Sequence, residues 1–371
     1  MKRPTLFSPL AAGLLELQHR VVMAPLTRMR ASQPGNVPNL LNAEHYRQRA
    51  TPGGLIIAEA TQVSETGQGY PAAPGIHSDA QVEGWRAVTR AVHERGGLIA
   101  LQLVHSGRIS HSSLQPGGGL PAAPSAVVAA GNAFTRDWER ASFEVPRALE
   151  TGEIPAIVSS FRSAARNAIR AGFDGVELHG ANGYLIEQFL QSRTNKRADQ
   201  YGGSIANRMR FLVEAAQAVA EEIGAGRVGV RLSPFGIAND TGEDDPVPLY
   251  TRAVEALSEL GLAYMHLIEP RASGTGAADI SRPEMPSACA LLRPHWRGKI
   301  ISAGGYDLRT AQEAISAGNA DAIAFGRLFI ANPDLVERLR AGAPLNAWDR
   351  STFYGGTAAG YTDYPAYKIV A

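Results

Sequence analysis

The sequence predicts an α/β fold built as a single (β/α)8 TIM barrel. Eight short, nearly all apolar runs recur along the chain, and each ends in a polar residue or a glycine. This pattern is typical of strands buried on both faces of a parallel sheet. Amphipathic segments with helical periodicity separate the runs, and several stop at a glycine. Eight strand–helix units in series favour a closed barrel, and the count alone leaves a doubly wound open sheet as the alternative.

The predicted strands lie at 21–25, 55–60, 98–105, 175–179, 227–233, 264–269, 299–304 and 322–326. The predicted helices lie at 80–95, 154–171, 207–223, 248–260, 309–317 and 333–340. We treat residues 1–371 as one domain, since β/α barrels routinely exceed the usual domain size. One connection is much longer than the others: residues 106–155, rich in Pro, Gly and Ser, follow the third strand. A long excursion at this end of a barrel is predicted to form a lid or a pocket wall.

The composition argues against several classes of protein. With 36 basic and 35 acidic residues the net charge is +1, so neither nucleic acid nor an anionic membrane would meet a dominant basic field. No apolar run is long enough to span a bilayer, and residues 1–9 do not resemble a signal peptide. The single cysteine, Cys289, permits neither an internal disulfide nor a cysteine-based metal site. These features predict a cytoplasmic protein.

Two adjacent strand ends carry a signal for phosphate binding. The seventh strand ends in Ala303, Gly304 and Gly305, and the eighth in Gly326 and Arg327. Backbone N–H groups approach an anion closely where no Cβ intervenes, and an arginine adds a bidentate donor. We therefore predict a phosphate site between these loops, the alternative being that the glycines only form tight turns.

A second cluster follows the fourth strand. His179, Asn182 and Tyr184 lie within six residues of one another, and Gly180 and Gly183 are expected to turn the backbone so that the side chains converge. The imidazole and the amide could both donate to one carbonyl oxygen, while the phenol could donate a proton. Carbonyl polarisation with a separate proton donor suits addition to a conjugated alkene.

Several other chemistries lack the residues that they need. A Schiff-base enzyme needs a lysine at a strand end, but Lys299 begins its strand and Lys196 lies in a loop. Metal-dependent barrels need clustered carboxylates or histidines, whereas Glu59 and Glu269 are isolated, so no metal is predicted. No dinucleotide-binding glycine motif follows a strand. A nicotinamide dinucleotide, if one is used, would therefore come and go as a substrate.

Longer motifs carry a resemblance over nearly the whole chain. They are VMAPLTRM at 22–29, IAEAT at 57–61, GQGY at 67–70, GRISH at 107–111, ELHGANGY at 177–184, YGGS at 201–204 with Asn207 and Arg208, AFGR at 324–327, FYGG at 353–356 and GYTDYP at 360–365. In this order they resemble the Old Yellow Enzyme family of flavin-dependent ene-reductases. The resemblance is to its classical branch, and most closely to the bacterial N-ethylmaleimide and nitrate-ester reductases.

The resemblance implies a noncovalent FMN in the mouth of the barrel. By position, the backbone of Pro25 and Ala60 and the hydroxyl of Thr27 are expected to line its ring. Gln102 is expected to bond the pyrimidine edge. Arg231 is expected beside the N1–C2 carbonyl region, where a fixed cation favours an anionic reduced flavin. The two glycine-rich loops match the phosphate-binding loops of the family.

The same resemblance implies how substrates bind. His179 and Asn182 match the pair that binds the substrate carbonyl, Tyr184 matches the proton donor, and Tyr70 and Tyr354 match pocket-wall positions. NAD(P)H is the expected hydride donor, and the expected acceptors are enones, maleimides and nitroalkenes. Nitrate esters and nitroaromatics could also be reduced. A monomer or a homodimer is expected.

One position departs from close relatives, which often carry Trp where this chain has Val104. The smaller side chain is expected to widen one side of the pocket. Two other functional classes stay open at this stage. One is a cofactor-free lyase or isomerase acting on a phosphorylated substrate, and the other is a barrel that binds a ligand without catalysis.

Overall fold

The eight apolar runs form the strands of a closed parallel barrel in the computed structural model, which describes residues 4–272 and 284–367. The open-sheet alternative is therefore wrong. The strands are β1 Leu10–Ala12, β2 Leu15–Leu17, β3 Val21–Met23, β4 Leu55–Gln62, β5 Leu98–Val104, β6 Ala122–Ala123, β7 Asn132–Phe134, β8 Arg140–Ser142, β9 Arg147–Ala148, β10 Gly175–Gly180, β11 Val228–Leu232, β12 Tyr264–Ile268, β13 Lys299–Ala303 and β14 Ala322–Phe325. The barrel order is β3-β4-β5-β10-β11-β12-β13-β14, and β14 pairs with β3 to close it.

Helices alternate with the barrel strands as predicted. They are α1 Leu40–Arg49, α2 Asp79–His93, α3 Ile154–Arg170, α4 Leu185–Leu190, α5 Ile205–Arg208, α6 Arg210–Ile223, α7 Pro246–Ser258, α8 Ala288–Leu292, α9 Leu308–Ser316, α10 Arg327–Ala331 and α11 Leu335–Ala341. Glycines follow several of them in a left-handed conformation, such as Gly172 at φ 91° after α3 and Gly318 at φ 76° after α9. The predicted glycine stops are thus real, because residues with a Cβ rarely adopt this conformation.

The barrel strands are buried along almost their whole length, as parallel strands covered by helices should be. Helix α2 shows how the outer layer attaches, since Val82, Trp85, Val88 and Val92 are all buried on one face. The Trp85 indole also donates to the Gly75 carbonyl at 3.0 Å, so its polar atom is satisfied in the core.

The amino end of the barrel is closed by an unpredicted hairpin. Strands β1 and β2 pair antiparallel, and Leu10, Leu15 and Leu17 pack with residues of the barrel strands such as Leu55 and Tyr264. Three-residue strands are too short to show a period, which is why the sequence does not predict this element. With one end covered, the open end of the barrel is the end at which the strands finish.

The excursion after β5 carries its own short strands. Strands β6 and β9 pair in parallel, and β7 and β8 form an antiparallel hairpin. Phe134 of this hairpin faces the cavity described below. Within the described residues, no helix is long and apolar enough to cross a membrane, and no group of three or more metal-ligating side chains is found.

The cap of α2 gives a test of local stability. Ser78 Oγ accepts from the Gln81 N–H at 3.3 Å, and Gln81 Oε1 accepts from the Ser78 N–H at 3.1 Å. We expect Ser78→Ala to lower the free energy of unfolding by about 1 kcal/mol, because it leaves a helix N–H without an acceptor. Ser159→Ala, on the exposed face of α3, is the control and should change stability by only a few tenths of a kcal/mol. Equal losses in urea unfolding would contradict the cap.

Candidate active site

A cavity of about 1040 Å³ lies at the carboxyl ends of the barrel strands. It brings together predicted residues from distant parts of the chain: Pro25, Thr27, Tyr70, Gln102, His179, Asn182, Tyr184, Arg231, Ala303, Gly304, Gly305, Gly326, Arg327 and Tyr354. Ala60 and Val104 do not border it. They line an adjoining cavity of about 10 Å³, next to Tyr70 and Tyr184. The space beside the small Val104 side chain therefore adjoins these two phenols.

A buried charge network forms the floor of the cavity. Glu177, fully buried in β10, accepts from Gln102 Nε2 at 2.7 Å and contacts His266 Nδ1 at 2.9 Å. Arg231 lies beside it on β11, and the negative charge of Glu177 partly offsets the lowering that burial imposes on the pKa of this guanidinium. Among the described residues Arg231 Nε has no hydrogen-bond partner. The floor thus presents a fixed cation, which remains charged because arginine has so high an intrinsic pKa.

The glycine-rich loops form one end of the cavity. Gly304 has φ 132° and Gly305 has φ 63°, conformations that favour glycine. A Cβ on Gly304 would also lie 3.1 Å from the Glu269 Cβ. Gly326 has a negative φ, which residues with a Cβ also adopt, so its conformation does not require a glycine. Its backbone, which carries no side chain, faces the cavity. Arg327 also lines the cavity, with its guanidinium carbon 5.2 Å from the centre of the Trp348 ring.

A tight turn presents the second predicted cluster. Asn182 and Gly183 are both left-handed, at φ 58° and 80°, so the chain reverses directly after β10. Gly180 does not contribute to this turn, and that part of the prediction is wrong. It is the last residue of β10, and a Cβ there would lie 3.0 Å from the Arg231 carbonyl oxygen. Gly180 therefore allows β10 and β11 to approach closely.

The imidazole of this cluster is neutral. Burial holds the pKa of His179 well below its usual value, and the nearby Arg231 and His266 lower it further. Two buried atoms, His179 Nδ1 and Asn182 Oδ1, have no hydrogen-bond partner among the described residues. Buried polar groups are nearly always paired in folded proteins, so these two side chains retain capacity for a ligand.

The phenol of this cluster is protonated and has an unpredicted partner. Burial raises the pKa of Tyr184 well above its usual value, and Tyr70 raises it further. The two hydroxyl groups lie 2.9 Å apart, and the Tyr184 ring lies edge-on to His179 at 4.8 Å. A phenol that stays protonated at neutral pH can act as an acid but not as a base.

The mouth of the cavity is bridged by the hairpin of the excursion. Tyr70 packs edge-on against Phe134, and Phe134 against Trp138, with both pairs of ring centres 6.4 Å apart. Trp138 is left-handed at φ 68°, an outlier for so bulky a residue. Its ring lies against Gly355, where a Cβ would come within 2.6 Å of two indole carbons. The hairpin and the loop that carries Tyr354 thus meet across the opening.

Buried arginines hold that loop in place. Arg28 donates to the carbonyl oxygens of Phe353 at 2.9 Å and Gly360 at 2.8 Å, and Arg30 donates to that of Thr352 at 2.9 Å. The Arg30 guanidinium carbon also lies 4.5 Å from the centre of the Tyr361 ring. These contacts fix the backbone on both sides of Tyr354.

Comparisons with known proteins agree with this geometry. The family model for the NADH:flavin oxidoreductase / NADH oxidase family matches residues 5–346. The chain belongs to this family. It is 48% identical over 363 residues to 12-oxophytodienoate reductase 1 of Oryza sativa subsp. japonica, covering 97% of this chain and 92% of that protein. The predicted resemblance to the Old Yellow Enzymes is confirmed.

Two solved structures of this family superpose closely on the chain. Morphinone reductase in complex with tetrahydroNAD has a TM-score of 0.91 at 48% identity, with 98% of each chain covered. The Old Yellow Enzyme homologue from Zymomonas mobilis has a TM-score of 0.92 at 44% identity, covering 98% of this chain and 99% of that one. The chain is thus an oxidoreductase. The lyase and the non-catalytic alternatives are set aside.

Sequence reasoning missed some residues that line or support this Old Yellow Enzyme cavity. Phe134, Trp138 and Arg140 lie in a low-periodicity excursion, and nothing in the local pattern indicates that their hairpin reaches the mouth. Glu177 begins one of the family motifs, but a lone carboxylate in an apolar strand does not reveal its link to Gln102. A polar residue at an otherwise apolar strand position is the signal that could have found it.

The contact between Trp138 and Gly355 can be tested directly. We expect Gly355→Ala to displace the hairpin, because its new Cβ would overlap the indole ring. Trypsin should then cleave faster after Arg136, an exposed residue of the hairpin. Gly117→Ala is the matched control, since Gly117 is also left-handed, at φ 62°, but a Cβ there would meet no atoms within 4 Å. If both variants are cleaved at the same rate, the contact does not hold the hairpin.

Proposed function

We propose that this chain is an FMN-dependent ene-reductase that transfers hydride from NAD(P)H to the β carbon of electron-poor alkenes. The arrangement of one cavity carries the proposal. A buried cation lies at its floor, glycine-rich loops lie at one end, and the His179–Asn182–Tyr184 cluster lies on its wall. Family membership supports the use of a flavin and a pyridine nucleotide.

The residues present fit FMN. Arg231 Nε is buried without a partner at the floor, where it can donate to the N1–C2 carbonyl region of the ring. Pro25 and Thr27 border the same space, and the loops at Gly304 and Gly326 leave room for a phosphate. Gln102 Nε2 donates a hydrogen bond to Glu177, so Gln102 Oε1 is left to accept from a ring N–H. A flavin bound in this way supplies hydride transfer through its N5 atom.

The protein side of the reaction lies in the turn after β10. His179 and Asn182 would donate to the substrate carbonyl oxygen, where negative charge develops as hydride arrives at the β carbon. A neutral imidazole suits this role, because it donates a hydrogen bond without carrying a charge. Tyr184 would give its hydroxyl proton to the α carbon, and solvent would restore that proton. NAD(P)H supplies the two electrons as hydride, so the overall reaction consumes one proton.

The substrate class follows from the hydrogen-bond donors of the cavity and from the room that it leaves for a small molecule. Enones, maleimides and nitroalkenes carry the acceptor oxygen that the His179–Asn182 pair can bind. The same electrons could reduce nitrate esters or nitroaromatics. Two relatives carry names of this chemical class, 12-oxophytodienoate reductase and morphinone reductase. The complex of the latter with tetrahydroNAD supports the view that nucleotide and alkene visit one cavity in turn.

The cofactor can be identified by chromatography after the purified protein is denatured by heat. We expect one FMN per chain. Arg327→Ala should weaken FMN binding by about ten- to a hundredfold, because a charge-assisted hydrogen bond contributes about 1.5–3 kcal/mol. Arg309→Ala, on the exposed face of α9, is the control and should retain the flavin normally. Finding FAD, or no flavin after reconstitution, would refute the assignment.

Tyr184→Phe separates the two half-reactions. It keeps the ring and removes the proton donor, so nicotinamide should bleach the flavin at nearly the wild-type rate. Oxidation by 2-cyclohexenone should slow at least about a hundredfold. A nitroalkene should still accept hydride, since its nitronate can take a proton from water later.

Stopped-flow absorbance measures both steps of this test. Tyr201→Phe is the control, since that hydroxyl bonds Glu214 away from the cavity. Equal slowing of both half-reactions by Tyr184→Phe would show that the residue is not the acid.

A further inference from the structure

A buried carboxylate lies beneath the turn that carries Asn182. Glu187, in the first turn of α4, is fully buried. Its Oε2 accepts from the Gly183 N–H at 2.6 Å, and its Oε1 accepts from Ser233 Oγ at 2.6 Å and from the Tyr250 hydroxyl at 2.7 Å. Neither the predicted site nor the proposed chemistry uses this group.

The directions of these hydrogen bonds show which form of Glu187 the network needs. Ser233 Oγ accepts from the Asn182 N–H at 3.0 Å, and the Tyr250 hydroxyl accepts from Gln191 Nε2 at 3.4 Å. Each hydroxyl has a single proton, and Glu187 Oε1 is the acceptor for both. A proton on Oε1 would have to be donated to one of these hydroxyls instead, and a proton on Oε2 would face the Gly183 N–H, which cannot accept it. The network is therefore complete only with the carboxylate ionised.

The turn depends on these links because it has no regular secondary structure. Asn182 is left-handed, a conformation that costs a residue with a Cβ about 1 kcal/mol or more. Its carbonyl oxygen accepts from Asn239 Nδ2 at 2.8 Å, its N–H is held by Ser233, and the next N–H is held by Glu187. Side chains thus replace the backbone partners that a helix or strand would provide.

We propose that Glu187 is a positioning residue, whose ionised carboxylate holds Asn182 through Ser233 in the orientation that binds a substrate carbonyl. This rests on the proposed function. When Glu187 takes up a proton, Ser233 or Tyr250 must reverse its hydrogen bond. If Ser233 reverses, its oxygen still accepts from the Asn182 N–H, but its own proton is left without the acceptor that fixed the hydroxyl. The turn is then held less firmly, and the Asn182 side chain binds a carbonyl less well.

The surroundings set this transition near neutral pH. Burial raises the pKa of the Glu187 carboxyl to about 7, against the opposing hydrogen bonds from Ser233, Gly183 and Tyr250. Within the described residues no cation pairs with it. Tyr250 is the titratable group in contact, and Glu243, which acts on Tyr250, is itself paired with Arg208 at 2.9 Å.

Protonation of Glu187 should therefore raise the free energy of unfolding while it weakens the binding of a substrate carbonyl. The folded chain holds the Glu187 proton more tightly than the unfolded chain does. The contribution of this group to stability is therefore greatest at acidic pH and is lost as the pH rises toward about 7. Carbonyl binding should follow the reverse course and strengthen over the same range.

The test uses the flavin-loaded enzyme and cyclohexanone, a ketone that cannot be reduced as an alkene. Its dissociation constant is read from flavin absorbance between about pH 5.5 and 8.5. In the wild type, affinity should fall as the pH drops through about 7. Glu187→Gln should bind cyclohexanone about tenfold more weakly at the upper end, equivalent to losing one hydrogen bond, and should lose the pH dependence. Ser233→Ala should weaken binding similarly.

Glu214→Gln is the matched control. It removes a carboxylate that accepts from the hydroxyl of Tyr201, in the connection between α4 and α5, and should leave cyclohexanone binding and its pH dependence unchanged. Hydrogen exchange of a peptide spanning residues 182 and 183 gives a readout without substrate. Exchange should be faster in Glu187→Gln than in the wild type, even after correction for pH.

The outcomes separate this inference from the proposed function. If Glu187→Gln and Ser233→Ala keep wild-type ketone affinity, pH dependence and exchange, Glu187 does not position Asn182. If exchange responds as expected but the wild type neither binds the ketone nor reduces 2-cyclohexenone, the positioning of the turn stands and the proposed substrate class is wrong. Should Glu187→Gln fail to fold, Ser233→Ala alone decides, because it leaves the carboxylate and its Tyr250 contact in place.

Discussion

The pairing of β14 with β3 is the contact on which the site depends. Three residue pairs join the strands, Ile323 with Val21, Ala324 with Val22 and Phe325 with Met23. This short seam closes the barrel, so the segments that follow the first and last strands become neighbours. Thr27 and Arg327 then border one cavity, and Arg28 reaches the backbone at residue 353. An open sheet of the same strands would leave these groups at opposite edges.

Closure of the barrel also determines where charged and neutral groups lie around the site. Two carboxylates are buried beneath or beside the cavity and are held by donors within the protein, Glu177 by Gln102 and Glu187 by Ser233. Burial keeps His179 neutral. The guanidinium of Arg231 therefore supplies a fixed positive charge at the floor, while the wall offers uncharged donors. Such fixed, preorganised groups need little rearrangement when charge develops on a bound molecule.

Much of the architecture is predictable from the sequence, because buried parallel strands are continuous apolar runs and glycines mark helix ends. The residues after the strands are also predictable, since parallel closure brings them to one rim. Contacts between separate loops are not. The Tyr70–Tyr184 hydroxyl pair spans 114 residues, and Ser233 meets Glu187 across 46. No local periodicity in the sequence indicates contacts between residues so far apart along the chain. The prediction for Gly180 fails because a glycine that permits close strand packing looks the same in a sequence as one that permits a turn.

The contacts of Arg28 and Arg30 with the loop that carries Tyr354 have a consequence for the order in which the chain folds during synthesis. The guanidinium of Arg28 and its acceptor on Phe353 are separated by 325 residues, so a growing polypeptide carries the donor long before its acceptor exists. Domains tend to assemble from the amino terminus during synthesis. Most of the barrel wall can therefore form around a cavity whose rim is still open. Residues 352–361 are synthesised after all eight barrel strands, so the part of the entrance that Tyr354 borders can close only once the barrel wall has left the ribosome.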